Sequence, residues 1–459
     1  LTHVDLSGTE TGPVGLNRLF RMARQLESLV ALALDEAKSL GADQAEAAAS
    51  QDTGLSATAR LGDVENLEFT NDRGIGITVY KDSCKGNAST SDISPAAIRE
   101  AVGKAYSFAK FTAQDPHSGL ADAELMATDM LDLDLDHPWD IDAEQAIAMA
   151  IECESAAMAY DKRISNSEGV TVGTNRGIQA YGNSHGFIGS DSRTSHSMTC
   201  IVLAEENGAM QRDYHYTSSR VPSELDEVES VGVEAGRKTV ARLGARKIKT
   251  TNAPVLYIPD LARGFIGHAM GAITGGAQYR RSSFLLDAIG QKIFPDFMQV
   301  QERPHIARGM SSRAYDGEGV ATYDRDIIID GYLDSYILSS YSARRLGLRT
   351  TANSGGVQNL LIPGSDTDQD ALIREMGTGL VVEELIGQGV NGVTGDYSRG
   401  AVGHWVENGE IQFPVHEVTI AGNLLDLYQR IIAVGNDQDL RSGMRCGSLL
   451  IEEMTIAGA

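Results

Sequence analysis

The chain is poor in cysteine, short of positive charge and without any long apolar run. Its four cysteines, Cys84, Cys153, Cys200 and Cys446, are scattered through 459 residues with no C-x-x-C spacing. That density excludes a disulfide framework and points to a reducing compartment. No hydrophobic stretch reaches the roughly 18 to 20 residues that cross a bilayer, so no membrane association is expected. The opening residues, Leu1 to Glu10, lack a charged region followed by an apolar one. No secretory signal is read there, and the expected location is cytoplasmic. Lys and Arg number 39 against 63 Asp and Glu, a formal charge of -24. Such a surface repels nucleic-acid phosphates unless a basic patch segregates. The best basic stretch, Arg237 to Lys249, reads as a helix C-terminus and linker, where cations oppose the helix dipole. Direct nucleic-acid binding is therefore not expected.

What is present is the ordinary material of a globular protein, long enough for two or three domains. Residues 1–16 read as a disordered lead. Leu26, Leu29, Val30, Ala33, Leu34 and Ala37 predict an amphipathic helix from Asn17 to Leu40, stopped by Gly41. Alternating segments follow at Gln44 to Gln51, Gly54 to Leu61, Val64 to Thr70 and Gly74 to Lys81, parted by Asp, Asn and Gly, then a helix from Ser94 to Lys110. The acidic, Pro-containing stretch Asp115 to Asp142 lacks the order of a calcium loop and reads as a solvated linker. A helix at Ala143 to Tyr160, four strands and a helix at Glu224 to Leu243 then repeat the helix–meander–helix order. His185, His196, Cys200 and His215 fall here. They are types a zinc site uses, but without fixed spacing they read as strand residues. The expected fold is α+β: an N-terminal α/β domain at 17–125, a middle α/β segment at 126–247 and a β-rich lobe at 248–459.

The third segment holds the candidate chemistry. A strand at Pro254 to Ile258 leads into a helix, Leu261 to Ile273, that carries Gly267 and Gly271 and runs into Gly275-Gly276 and the pair Arg280-Arg281. A glycine inside a helix costs about 1 kcal/mol relative to alanine, so two of them call for close packing or an emptied site. Asp316 and Glu318 could form an acid–base pair, but the glycines flanking Glu318 favour a tight turn. Ser340 is placed to cap a short helix ending in Arg344 and Arg345, side chains suited to a carboxylate or to the helix dipole. The run Met376 to Ala401 is glycine-rich and leads to a hairpin turning at Asn408-Gly409. Glycine-bearing strand edges admit an extended peptide. Gly377, Gly379, Gly392, Gly395 and Arg344 are the candidate peptide-binding residues. A helix from Leu424 to Val434 and a closing Arg445-Cys446-Gly447 complete the segment.

Across Leu26 to Gly458, and most specifically in this last segment, the sequence resembles the PmbA (TldE) branch of the TldD/PmbA family, peptidase family U62, also called modulators of DNA gyrase. In the family's TldD branch a zinc-binding His-Glu-x-x-x-His precedes a paired arginine. Anchoring on Arg280-Arg281 puts Gly267 and Ala272 at the two histidines and His268 at the glutamate. Cys446 falls on the family's third zinc ligand. The resemblance thus implies a metalloprotease lineage with no intact catalytic motif and no zinc expected in this chain, with Cys446 and His268 the residual metal candidates. It implies a TldD-type partner that holds the zinc and an unfolded peptide as substrate. A self-sufficient metallopeptidase with another site, a modulator of a folded partner such as gyrase or a toxin–antitoxin component, and a homodimer in the absence of the partner remain open.

Overall fold

The computed structural model describes residues 13–458. Helix α1 (Pro13–Ser39) begins before the expected Asn17, since proline is favoured in a first helical turn. Part of the stretch read as a disordered lead is therefore helical, and residues 1–12 lie outside the described residues. Strands β1 (Gln44–Arg60) and β2 (Asp63–Lys81) run unbroken through residues read as turns. Asp52 pairs with Asp72, Thr53 with Asn71 and Gly54 with Thr70, so the turn-forming types sit opposite one another inside one long ladder. A Cβ on Gly54 would lie 2.9 Å from the Thr174 carbonyl oxygen, which explains a glycine in mid-strand by close backbone approach.

After β3 (Cys84–Thr90), α2 (Pro95–Ala109) is capped by Ser94, whose side chain accepts from the Ala97 N–H. Helix α3 (Ala143–Tyr160) opens with a capping box of Asp142 and Gln145. Strands β4 (Ile164–Asn183), β5 (Ile188–Glu206) and β6 (Ala209–Ser219) follow, then α4 (Val228–Ala241). All six strands form one sheet in the order β3-β2-β1-β4-β5-β6. The first and middle segments therefore share a sheet, joined along β1 and β4 from Glu46–Asn183 to Ala59–Val170.

Alternate residues of β1 are buried on one face. Ala45, Ala47 and Ala49 share a core with Val30, Ala33 and Ile98, while Leu55, Ala57 and Ala59 share another with Cys153, Ala157 and Val231. The acidic stretch read as a solvated linker is instead fastened down. Arg176 grips Asp136 at 2.8 and 2.6 Å, Arg308 holds Asp134 at 2.6 Å, and Leu133 and Leu135 are buried.

The last segment contains β7 (Thr251–Tyr257), α5 (Pro259–Ala272), α6 (Gly275–Tyr279), β8 (Val300–Glu302), β9 (Arg325–Ile329), β10 (Tyr332–Leu333), α7 (Ser340–Leu346) and β11 (Leu360–Leu361). It continues with α8 (Gln369–Met376), β12 (Gly379–Ile386), β13 (Asp396–Glu407), β14 (Glu410–Asn423), α9 (Leu424–Gln429), β15 (Ile431–Val434), β16 (Met444–Arg445) and β17 (Leu449–Ala457). One sheet runs β10-β9-β8-β11-β16 and the other β14-β13-β12-β7-β17-β15, and pairing of β14 with β17 closes five strands of the second into a barrel. Asn408 and Gly409, both at positive φ, turn β13 into β14 as expected.

Two local expectations need correction. The cap of α7 is Ser339, in a capping box with Ser342, and not Ser340. The helix after Asn423 ends at Gln429, because Ile431 to Val434 pair as a strand with Ile451 to Leu449; the branched pair Ile431-Ile432 suits a strand better than a helix. The fold is α+β. No described helix is long and apolar enough to cross a membrane.

Candidate functional site

Helix α5 turns Phe265, Ile266, Ala269 and Met270 into the core of the last segment, where Phe265 stacks on Tyr257 and meets Tyr397 and Tyr428 edge-on. Gly267, His268, Gly271 and Ala272 line a cavity of about 350 Å³, which Ser282, Phe284, Gln388, Val390 and Gly392 complete. No neighbouring atom lies within 4 Å of where a Cβ would sit on Gly267 or Gly271. Close packing therefore does not require either glycine. Gly275 is the opposite case, with a Cβ only 2.3 Å from the Ser342 hydroxyl oxygen.

The aligned positions thus surround one cavity, but their donor set does not fit zinc. Gly267 and Ala272 offer no ligating side-chain atom, which leaves the imidazole of His268. That ring stands edge-on to Tyr397 with centroids 6.0 Å apart, and burial, then the Arg399 charge, holds its pKa below the usual histidine value. Cys446 is absent from the cavity lining. It is fully buried, donates to the Gly447 carbonyl at 3.3 Å, and burial pushes its thiol up to about 12. Among the described residues no group of three or more His, Cys, Asp or Glu is arranged to hold a metal. Of the histidines read as strand residues, His196 on β5 bonds Thr174 and the His137 carbonyl, each at 2.9 Å, while His185 lies instead in the turn between β4 and β5 and bonds the Ala121 carbonyl at 3.0 Å.

The candidate peptide-binding residues divide. Gly392 lines the cavity and its carbonyl accepts from the Phe284 N–H at 3.0 Å; Gly395, at positive φ, lies against the same Phe284. Gly377 and Gly379 stand at the other end of β12. Gly377 ends α8 and accepts from the Gly409 N–H at 2.7 Å, and a Cβ on Gly379 would press to 2.4 Å on the Pro254 carbonyl. Arg344 is occupied too. Its guanidinium donates to the carbonyls of Gly119, at 3.1 Å, and Leu120, and so ties the acidic stretch to α7.

Asp316 and Glu318 sit in a tight turn. The Asp316 carboxylate accepts from the Glu318, Val320 and Ser354 N–H groups at 2.9, 3.0 and 2.9 Å, and burial, reinforced by Glu318, raises its pKa to about 7. Residue-type reasoning passed over Arg399. It stands on β13 two residues beyond Tyr397, and its only signal in the sequence is that period-two spacing from a buried aromatic.

Comparison with known proteins gives the family. Residues 45–109 match the PmbA/TldA metallopeptidase domain 1, residues 136–243 the central domain and residues 250–458 the C-terminal domain. The chain belongs to the PmbA/TldD family of metallopeptidases. It is 49% identical over 433 residues to the metalloprotease PmbA of Escherichia coli O157:H7, covering 94% of this chain and 96% of that protein. It is 46% identical to the Haemophilus influenzae PmbA homolog, covering 95% and 96%. A Bacteroides thetaiotaomicron crystal structure of a protein described as a modulator of DNA gyrase superposes with a TM-score of 0.89 at 27% identity, over 94% of this chain and 98% of that one. TldE from Thermococcus kodakarensis, at 19% identity and a TM-score of 0.82 over 95% and 100%, shares the fold.

Proposed function

We propose that this chain is the non-catalytic subunit of a two-chain zinc protease of the cytoplasm, paired with a TldD-type subunit and acting on unfolded peptides. The observation that carries the reading is the donor-free wall at Gly267 and Ala272, in a cavity with room for side chains that are not there. In the partner, zinc would lower the pKa of a bound water to about 7 and so generate the nucleophile. This chain's residues bind and orient. Gly392 is exposed at the cavity and leaves main chain uncovered beside α5, where an extended peptide can lie along the backbone whatever its side chains. Gly395 is buried and bonded to Asn391 and Leu424, and holds the loop that presents Gly392. The fixed barrel behind α5 keeps that surface from moving as peptide enters. Relatives named as TldD homologs, 20% and 23% identical to this chain, are the class from which the partner would come.

The test is reconstitution. The chain is titrated with a TldD-type subunit while molecular mass and cleavage of an unstructured peptide are followed together. A one-to-one assembly whose activity rises with the added chain is expected. Full activity of the TldD-type subunit alone, unchanged by this chain, would rule the reading out.

A further inference from the structure

The cavity beside α5 differs from most of the surface in its charge. None of its lining residues is acidic, in a chain with 63 Asp and Glu. Among the described residues, the side chains of His268, Ser282 and Gln388 make no hydrogen bond to protein, and all three line the cavity. Arg399 stands behind the lining and not in it: it shares a strand face with Tyr397, whose ring meets His268, and its charge acts on that imidazole. The Arg399 Nε is closed off from solvent with no hydrogen-bond partner among the described residues. Arg399 is half-buried and no acidic side chain pairs with it among the described residues, and a guanidinium is the group best shaped to take a carboxylate.

We infer that this cavity is a carboxylate site for the bound peptide, with Arg399 supplying the charge, His268, Ser282 and Gln388 the hydrogen bonds, and Gly267 and Gly271 the room. The inference rests on the peptide-holding role proposed above and names the group that is held. The cavity's volume of about 350 Å³ accommodates a carboxylate together with the residue bearing it, and Gly392 opens its rim to an extended chain. Where a TldD-type relative would place metal ligands, this chain would then hold a negative end or side chain of the peptide and fix its register.

The carboxylate has two sources, the peptide's C-terminus or an internal Asp or Glu, and three peptides separate them. One neutral unstructured peptide is made with a free C-terminus, with an amidated C-terminus, and amidated with a single internal glutamate. Each is titrated calorimetrically into the full chain alone. At least one carboxylate-bearing form is expected to bind ten or more times tighter than the neutral amide, and the form that gains identifies the source. In Arg399→Gln that preference is expected to fall to twofold or less, with Arg399→Lys keeping part of it. Equal affinity for all three forms, a preference that survives Arg399→Gln, or no binding of any form overturns the inference. Cleavage in the mixture with the TldD-type subunit reports separately on the subunit reading. Activity without a carboxylate preference removes the inference alone, and a carboxylate preference without activity removes the subunit reading alone.

Discussion

Gly267 and Gly271 stand one helical turn apart on α5, and both face open space where a side chain would meet nothing. The cost of two helical glycines, about 1 kcal/mol each, is therefore not offset by close packing. Their spacing and exposure are those of an α5 face that lines a site.

The stability consequence is direct. Gly267→Ala is expected to stabilise the chain by about 0.5 to 1 kcal/mol, through lower unfolded-state entropy and higher helix propensity. Gly275→Ala is expected to destabilise it, because the new methyl would fall 2.3 Å from the Ser342 hydroxyl oxygen. Urea midpoints of the two variants should move in opposite directions; a loss of stability in Gly267→Ala would show that the space on that face is filled.

A second consequence concerns pH. The folded chain holds a proton on Asp316 up to about pH 7, whereas the unfolded chain releases it near the ordinary value of 3.8. Between those values the folded state binds more protons, so this group's effect is a stability that falls as pH rises from about 4 to 7 and levels off above. The full drop is on the order of 4 kcal/mol. Asp316→Asn is expected to be less stable than the wild type near pH 4.5, since an amide nitrogen cannot accept from the Ser354 N–H. It should nonetheless lack this slope when unfolding free energies are measured from pH 4.5 to 8. A slope equal to the wild type's would place the titration elsewhere.

Thiol chemistry offers a third check. Cys153, Cys200 and Cys446 are buried and Cys84 is partly exposed, all of them free, and reactivity follows exposed thiolate. One thiol per native chain should react with a small disulfide reagent at pH 8, and four after denaturation. Rapid native labelling of Cys446 would contradict its place in the core.

Features set by a few adjacent residues were legible in the sequence: the cap at Ser94, the Asn408-Gly409 turn, the tight turn at Asp316, and helix α5. Features that depend on distant partners were not. Asp52 and Asn71 read as turns until β2 supplies Asp72 opposite the one and β1 supplies Thr53 opposite the other, and the acidic stretch reads as solvated until Arg176 and Arg308 arrive from elsewhere in the chain. Ile431 to Val434 continue a helical pattern until β17 offers them a ladder. Arg399 was invisible for the same reason, since its lack of a partner is a property of the assembled barrel.

The most direct measurement is zinc content by elemental analysis of this chain purified alone and of its mixture with a TldD-type subunit, with cleavage of an unstructured peptide recorded on both. The account predicts neither zinc nor cleavage from the chain alone, and both from the mixture, with one zinc per pair. One zinc per chain in the isolated protein, with cleavage abolished by a chelator, would contradict it and return the chemistry to His268, Cys446 or the strand histidines.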